Sequence, residues 1–152
     1  MRRRDIFRVG LAGAAGLFGL RPIKAAASEV KPAAAEEERQ KVAYHLSDLD
    51  KVNFVLGNIK NHFEGTDGKI DIALVVHGPA LAAFKSKGIS AAIFGRFAGL
   101  VQDGLSPHAC ANTMHGMDIG LADLLDGFHA ADRGGVVKLA ELQRQGYAYL
   151  RP

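Results

Sequence analysis

The chain has 152 residues, with 19 Lys+Arg, 16 Asp+Glu, six His and a single Cys. That length suits one domain, and an apolar fraction of 48% beside 23% charged residues excludes a disordered tail or a collagen-like rod. One Cys excludes an intrachain disulfide, and no apolar run reaches the ~20 residues needed to span a bilayer.

The formal charge of +3 is set by the N-terminus. Arg2, Arg3, Arg4 and Arg8 precede an uncharged stretch from Val9 to Leu20, and Arg21, Pro22, Ile23 and Lys24 lead to Ala25-Ala26-Ala27. A basic start, a short apolar middle and an Ala-x-Ala site make an export leader over residues 1–27. Arg3-Arg4-Asp5-Ile6-Phe7-Arg8 resembles the twin-arginine pattern, so a periplasmic location is expected. Glycines at 10, 13, 16 and 19 argue against a helix of the fold itself. The leader carries six of the bases and one of the acids, which leaves 13 bases, 15 acids and a net charge of −2. No basic patch with interleaved aromatics remains, so no nucleic-acid partner is expected, nor a stable membrane span once the leader is cleaved.

Residues 28–40 are rich in Ala and Glu and read as a linker. The domain occupies 41–152. Val42–Leu46 reads as a strand, and Ser47 with Asp50 as a capping box for a helix with Val52, Val55, Leu56, Ile59 and Phe63 on one face. Lys69–Val76 ends in a continuous apolar run, the mark of a strand buried on both faces. Pro79 suits the first turn of a helix running to about Lys87, and a second helix carries Ile93, Phe94, Phe97, Leu100 and Val101 as far as Gly104. Leu105–Cys110 reads as a third strand, weakened by Pro107. Asp118–Leu125 is expected as a short helix and Phe128–Ala131 as a short strand. Gly135–Gln145 reads as a helix with Val136, Leu139, Ala140 and Leu142 inward, capped by Gly146, and Tyr147–Leu150 as the last strand. This alternation predicts a three-layer α/β/α domain with an open, mostly parallel sheet of about five strands.

Ligands of such sheets bind beyond the carboxyl ends of the strands. His45, His77 and Cys110 fall there, His108 and His115 flank the cysteine, and Asn112 and Thr113 offer side chains or amides. A helix N-terminus or a histidine favours a reactive thiolate. The opposing readings are a small buried cysteine and histidines bonded to loop backbone. Zinc or copper would use the same His and Cys atoms, but the spacing is not a recognised ligand pattern, so no metal is assigned. Gly-x-Gly-x-x-Gly and Gly-x-Ser-x-Gly are absent, and no cofactor is expected. Gly134-Gly135 before a helix is a weak phosphate signal whose default explanation is a tight turn.

Four segments together resemble the DsrE/DsrF-like (YchN-like) sulfur-relay family: Val42-Ala43-Tyr44-His45-Leu46-Ser47-Asp48 with Asn58-Ile59 and Asn61-His62; Val75-Val76-His77-Gly78-Pro79; Cys110-Ala111-Asn112-Thr113-Met114; and Gly135 to Pro152. The resemblance covers about Lys41 to Pro152. It implies the three-layer α/β/α fold, homo-oligomers (often trimers or hexamers), and a cysteine at the place of Cys110 that accepts sulfane sulfur as a persulfide and passes it to a partner. Leu105-Ser106-Pro107-His108-Ala109 is more polar than the family's usual strand, and His115-Gly116-Met117 differs from its usual basic stretch. The first expectation is therefore an exported sulfur carrier with Cys110 as nucleophile, and His45, His77, His108, Asn112 and His115 setting its charge and hydrogen bonding. Its partner would be a sulfur donor or acceptor protein or a small sulfur compound. The alternatives are a non-catalytic oligomeric module whose His45, His77 and Cys110 pocket holds a metal or small anion, and an assembly protein with an inert, buried Cys110.

Overall fold

The computed structural model describes residues 39–152. The leader at 1–27 and linker residues 28–38 lie outside the described residues. Five strands, β1 (Gln40–Leu46), β2 (Ile70–Val76), β3 (Ser106–Cys110), β4 (His129–Ala131) and β5 (Ala148–Leu150), form one sheet in the order β4-β3-β2-β1-β5. Every pairing is parallel. Four helices, α1 (Val52–Gly65), α2 (Ala91–Gln102), α3 (Ala111–Gly116) and α4 (Gly135–Arg144), complete the alternation, with helices on both sides of the sheet. The α/β class and the five parallel strands are those expected from the sequence.

Side chains alternate across each strand, so the sheet has two chemically different faces. Val42, Tyr44 and Leu46 of β1 and Ile70, Ile72, Leu74 and Val76 of β2 pack against α1 and α2. α1 buries the residues expected of it, Val52, Val55, Leu56, Ile59 and Phe63. Phe84, Phe97 and Phe128 meet at the centre of this layer with ring centres 5.1–5.4 Å apart. The other face is thinner. There Ala43, Ala73 and Val75 cluster with Leu139 and Leu142 of α4, with Tyr147 beside them.

Several local readings are corrected. The Ser47/Asp50 capping box does not form; Asp48 precedes a 3-10 turn, and Ser47 accepts a hydrogen bond from Arg151 instead. The helix expected from Pro79 to Lys87 is a 3-10 helix over Gly78–Phe84, with the Ala80 N–H bonded to the Ser47 carbonyl. The helix expected at Asp118 lies earlier, directly after Cys110, as α3. Asp118 ends it in the left-handed region at φ 52, and the Asp118 and Ile119 amides bond back to His115 and Met114 in a Schellman-type stop. Leu121–Asp123 keeps one 3-10 turn of the expected segment. Phe94 and Val136 are exposed rather than inward, and so is Ala140; α4 buries Gly135, Leu139 and Leu142, a stripe that begins one residue earlier than expected. Pro107 is tolerated in β3 because β4 pairs only from His108 onward, so the proline has a strand on one side only.

Candidate functional site

The residues that carry chemistry sit on the thin face. Register places His45, Val75, His108 and His129 in one row across β1, β2, β3 and β4. Cys110 lies two residues beyond His108, at the carboxyl end of β3, and His77 follows the last residue of β2. One layer of sheet thus delivers His45, His77 and Cys110 to the same edge.

Cys110 is 5% exposed and forms part of the wall of a cavity of about 350 Å³ with His77, Asn112, Thr113, Arg133 and Gly134. Burial pushes its thiol up, but the Thr113 hydroxyl and the backbone of Gly135, Thr113 and Asn112 beside the sulfur outweigh burial, and the pKa lies below its ordinary value. Thr113 is held for this task, since its Oγ1 also accepts the Gly78 N–H at 3.0 Å. The loop before α4 closes over the sulfur. A Cβ at Gly135 would stand 3.3 Å from the Cys110 Cβ and 3.4 Å from the His77 Cβ, and one at Gly134 would stand 2.7 Å from Asn112 Nδ2. Gly134 also has φ 94, a conformation L side chains rarely adopt. The two glycines are there for close approach of backbone to the thiol.

His45 and His77 face each other with their Nε2 atoms in hydrogen-bond contact. Their ring planes are within 19° of parallel and their centres 4.6 Å apart. On its other side, His45 Nδ1 is 2.7 Å from the Tyr149 hydroxyl. Burial, then His77 and Arg151, lower the His45 pKa to about 4, with Asp48 opposing. Burial and then Arg151 lower that of His77. Both rings are therefore neutral at pH 7.

The remaining candidates are placed differently. Asn112 lines the cavity, whereas His108 and His115 do not. His108 is buried on β3, where its Nε2 meets Ser106 Oγ at 3.2 Å and its Nδ1 has no partner among the described residues. Burial, Lys138 and His129 lower its pKa to about 4. His115 is exposed on α3. Tyr149 and Arg133 were not among the expected site residues. Tyr149 was legible only through its place in β5, opposite Ala43 and hence on the His45 face. Among the described residues no three His, Cys, Asp or Glu side chains are grouped so as to hold a metal ion.

No protein-family model matches the chain, and no curated protein does. Several solved structures share its fold, three of them as follows. A protein of unknown function from Methanobacterium thermoautotrophicum, MTH1491, is 24% identical with a TM-score of 0.67, over 74% of this chain and 99% of that one. The ychN protein from E. coli is 16% identical with a TM-score of 0.56, over 74% and 99%. A conserved protein of unknown function from Bacteroides thetaiotaomicron, BT1422, is 14% identical with a TM-score of 0.57, over 78% and 99%. At these identities the likeness establishes the YchN-like fold.

Proposed function

We propose that the chain is a DsrE/DsrF-like sulfur carrier in which Cys110 accepts sulfane sulfur as a persulfide. The observation that carries this reading is the thiol itself. It sits at a strand end, in a cavity large enough for a short polysulfide, and the polar groups of Thr113, Gly135 and Asn112 favour its ionised form. The thiolate attacks a sulfur of a polysulfide. A new S–S bond forms at Cys110, the old S–S bond breaks, and the shortened polysulfide leaves with the electron pair. The same amides then face the anionic persulfide. Transfer onward is the same exchange with a partner's thiolate as nucleophile, so one cysteine is enough.

Export by the twin-arginine route and assembly into a homo-oligomer belong to this proposal. The leader pattern of residues 1–27 supports the first. The exposed apolar side chains of Val136 and Val137, next to the cavity, support the second. The test is the intact mass of the protein after incubation with polysulfide, with and without reductant, beside Cys110→Ser. A reductant-sensitive gain of whole sulfur atoms on the unsubstituted protein alone is expected. Uptake by the serine variant would overturn the role of Cys110.

A further inference from the structure

Two neutral imidazoles in Nε2-to-Nε2 contact hold one hydrogen between them, because two N–H groups would collide and two lone pairs would repel. The nearly parallel planes and the 4.6 Å between centres put both Nε2 atoms between the ring centres, so the rings meet edge to edge, along the direction an N–H···N bond needs. Tyr149 extends the line at the far side of His45. Tyr149 is 41% exposed on β5, and His77 lines the Cys110 cavity. The three residues thus join the protein surface to the site through contiguous hydrogen-bonding groups.

We propose that Tyr149, His45 and His77 form a proton relay between the surface at β5 and the Cys110 cavity. The line has two polarities. In one, the Tyr149 hydroxyl donates to His45 Nδ1, His45 Nε2–H donates to His77 Nε2, and His77 carries its second hydrogen on Nδ1. In the other, His77 Nε2–H donates to His45 Nε2, His45 Nδ1–H donates to the Tyr149 oxygen, and His77 Nδ1 is a lone pair. To pass from the first to the second, His77 releases its Nδ1 proton to the cavity and gains one from His45. His45 regains one from Tyr149, and Tyr149 regains one from water. One proton crosses, and no net charge stays on any of the three. The reverse passage carries a proton out.

Neutral rings suit this use, since a cationic pair would be trapped in one arrangement; burial and the nearby Arg151 keep both rings uncharged at pH 7. The relay serves two events at a sulfur site. It can take the proton that a thiol gives up, and it can return one to a departing sulfur anion. It supplies the cavity with a proton whether or not Cys110 takes up sulfur, so it stands apart from the sulfur-carrier reading.

The test is nitrogen NMR of the folded, ¹⁵N-histidine-labelled protein at neutral pH, which tells a protonated ring nitrogen from a bare one. Both Nε2 signals of His45 and His77 are expected at positions averaged between the two. Tyr149→Phe, a conservative change on an exposed strand, removes one end of the line and is expected to abolish the averaging, leaving one fixed tautomer per ring. Alkylation of Cys110 with iodoacetamide is expected to shift the averaged position, and Cys110→Ser to leave averaging in place. A single fixed tautomer in the unsubstituted protein, unmoved by Tyr149→Phe and by alkylation, would overturn the relay. So would stoichiometric zinc or copper(I) binding that His45→Gln abolishes, which would make the pair a metal site instead. Sulfur uptake is read by mass alone, so failure of either proposal is seen without the other.

Discussion

The two faces of the sheet are built to different ends. Toward α1 and α2, large apolar side chains from all the longer elements interlock around Phe84, Phe97 and Phe128. Toward α4, the same strands present Ala43, Ala73 and Val75, and the positions left are occupied by His45, His108 and Cys110, with His77 just past β2. Period-two alternation lets one set of strands do both. The contrast teaches that stability can be concentrated on one face while the other tolerates buried polar groups, which cost free energy when unpaired. The sharpest way to break the comparison is to truncate each core. Phe84→Ala removes a side chain with no exposed surface and two aromatic neighbours, and should cost about 3–5 kcal/mol in urea unfolding. Leu142→Ala, under the single helix of the thin face, should cost about 2 kcal/mol, since fewer neighbours are lost and the helix can settle. Equal losses would mean that the thin face carries as much of the fold as the thick one.

How far this contrast was legible in the sequence differs by element. The 3–4 spacing from Val52 to Phe63 and the continuous apolar run of β2 placed the thick core, because burial there depends on periodicity alone. The strand-end positions of His45, His77 and Cys110 were legible for the same reason: a parallel sheet brings its carboxyl ends together. What was not legible depended on a contact distant in sequence and on a local backbone conformation. The segment from Gly78 to Phe84 forms a 3-10 helix tied to Ser47 across the fold through the Ala80 amide, where an α-helix was expected. Asp118 adopts a left-handed conformation usually taken by glycine, which hid the end of α3 and so its start beside Cys110. Proximity in sequence also misled for His108 and His115. One points into the sheet face beside Ser106, the other into solvent, and neither reaches the cavity.

The faces should also differ in their response to acid. His45 and His108 have pKa values of about 4 in the fold and about 6.5 when unfolded. Between those values the unfolded chain binds more protons, so stability rises with pH, and acidification from about 6.5 toward 4 removes it. His77, Arg151 and Asp48 act on His45, and Lys138 and His129 on His108. His108→Leu also removes a buried nitrogen without a partner. It is expected to flatten part of the acid limb in urea midpoints measured across that window, and to change stability at pH 7 by less than about 1 kcal/mol. An unchanged limb would place the acid sensitivity elsewhere on the molecule.

The smallest contrast lies within the cysteine's own neighbourhood. Thr113 and His115 are three and five residues beyond Cys110, and by sequence the histidine is the more obvious activator of a thiol. The fold reverses that order. α3 turns the Thr113 hydroxyl and amide toward the sulfur, while His115 stands exposed near the end of the same helix. Thr113→Val removes the hydroxyl that favours the ionised sulfur and leaves the Gly78 N–H without its acceptor. Alkylation of Cys110 by iodoacetamide at neutral pH should slow by about tenfold, with the pH profile moved upward, the worth of one bond to a charged group. His115→Ala should leave the rate within about twofold, because an exposed histidine is screened by water from a thiol it does not touch. If the histidine variant slowed and the threonine variant did not, the ionisation of Cys110 would rest on charge at long range, and the backbone cradle formed by Asn112, Thr113 and Gly135 would only shape the cavity.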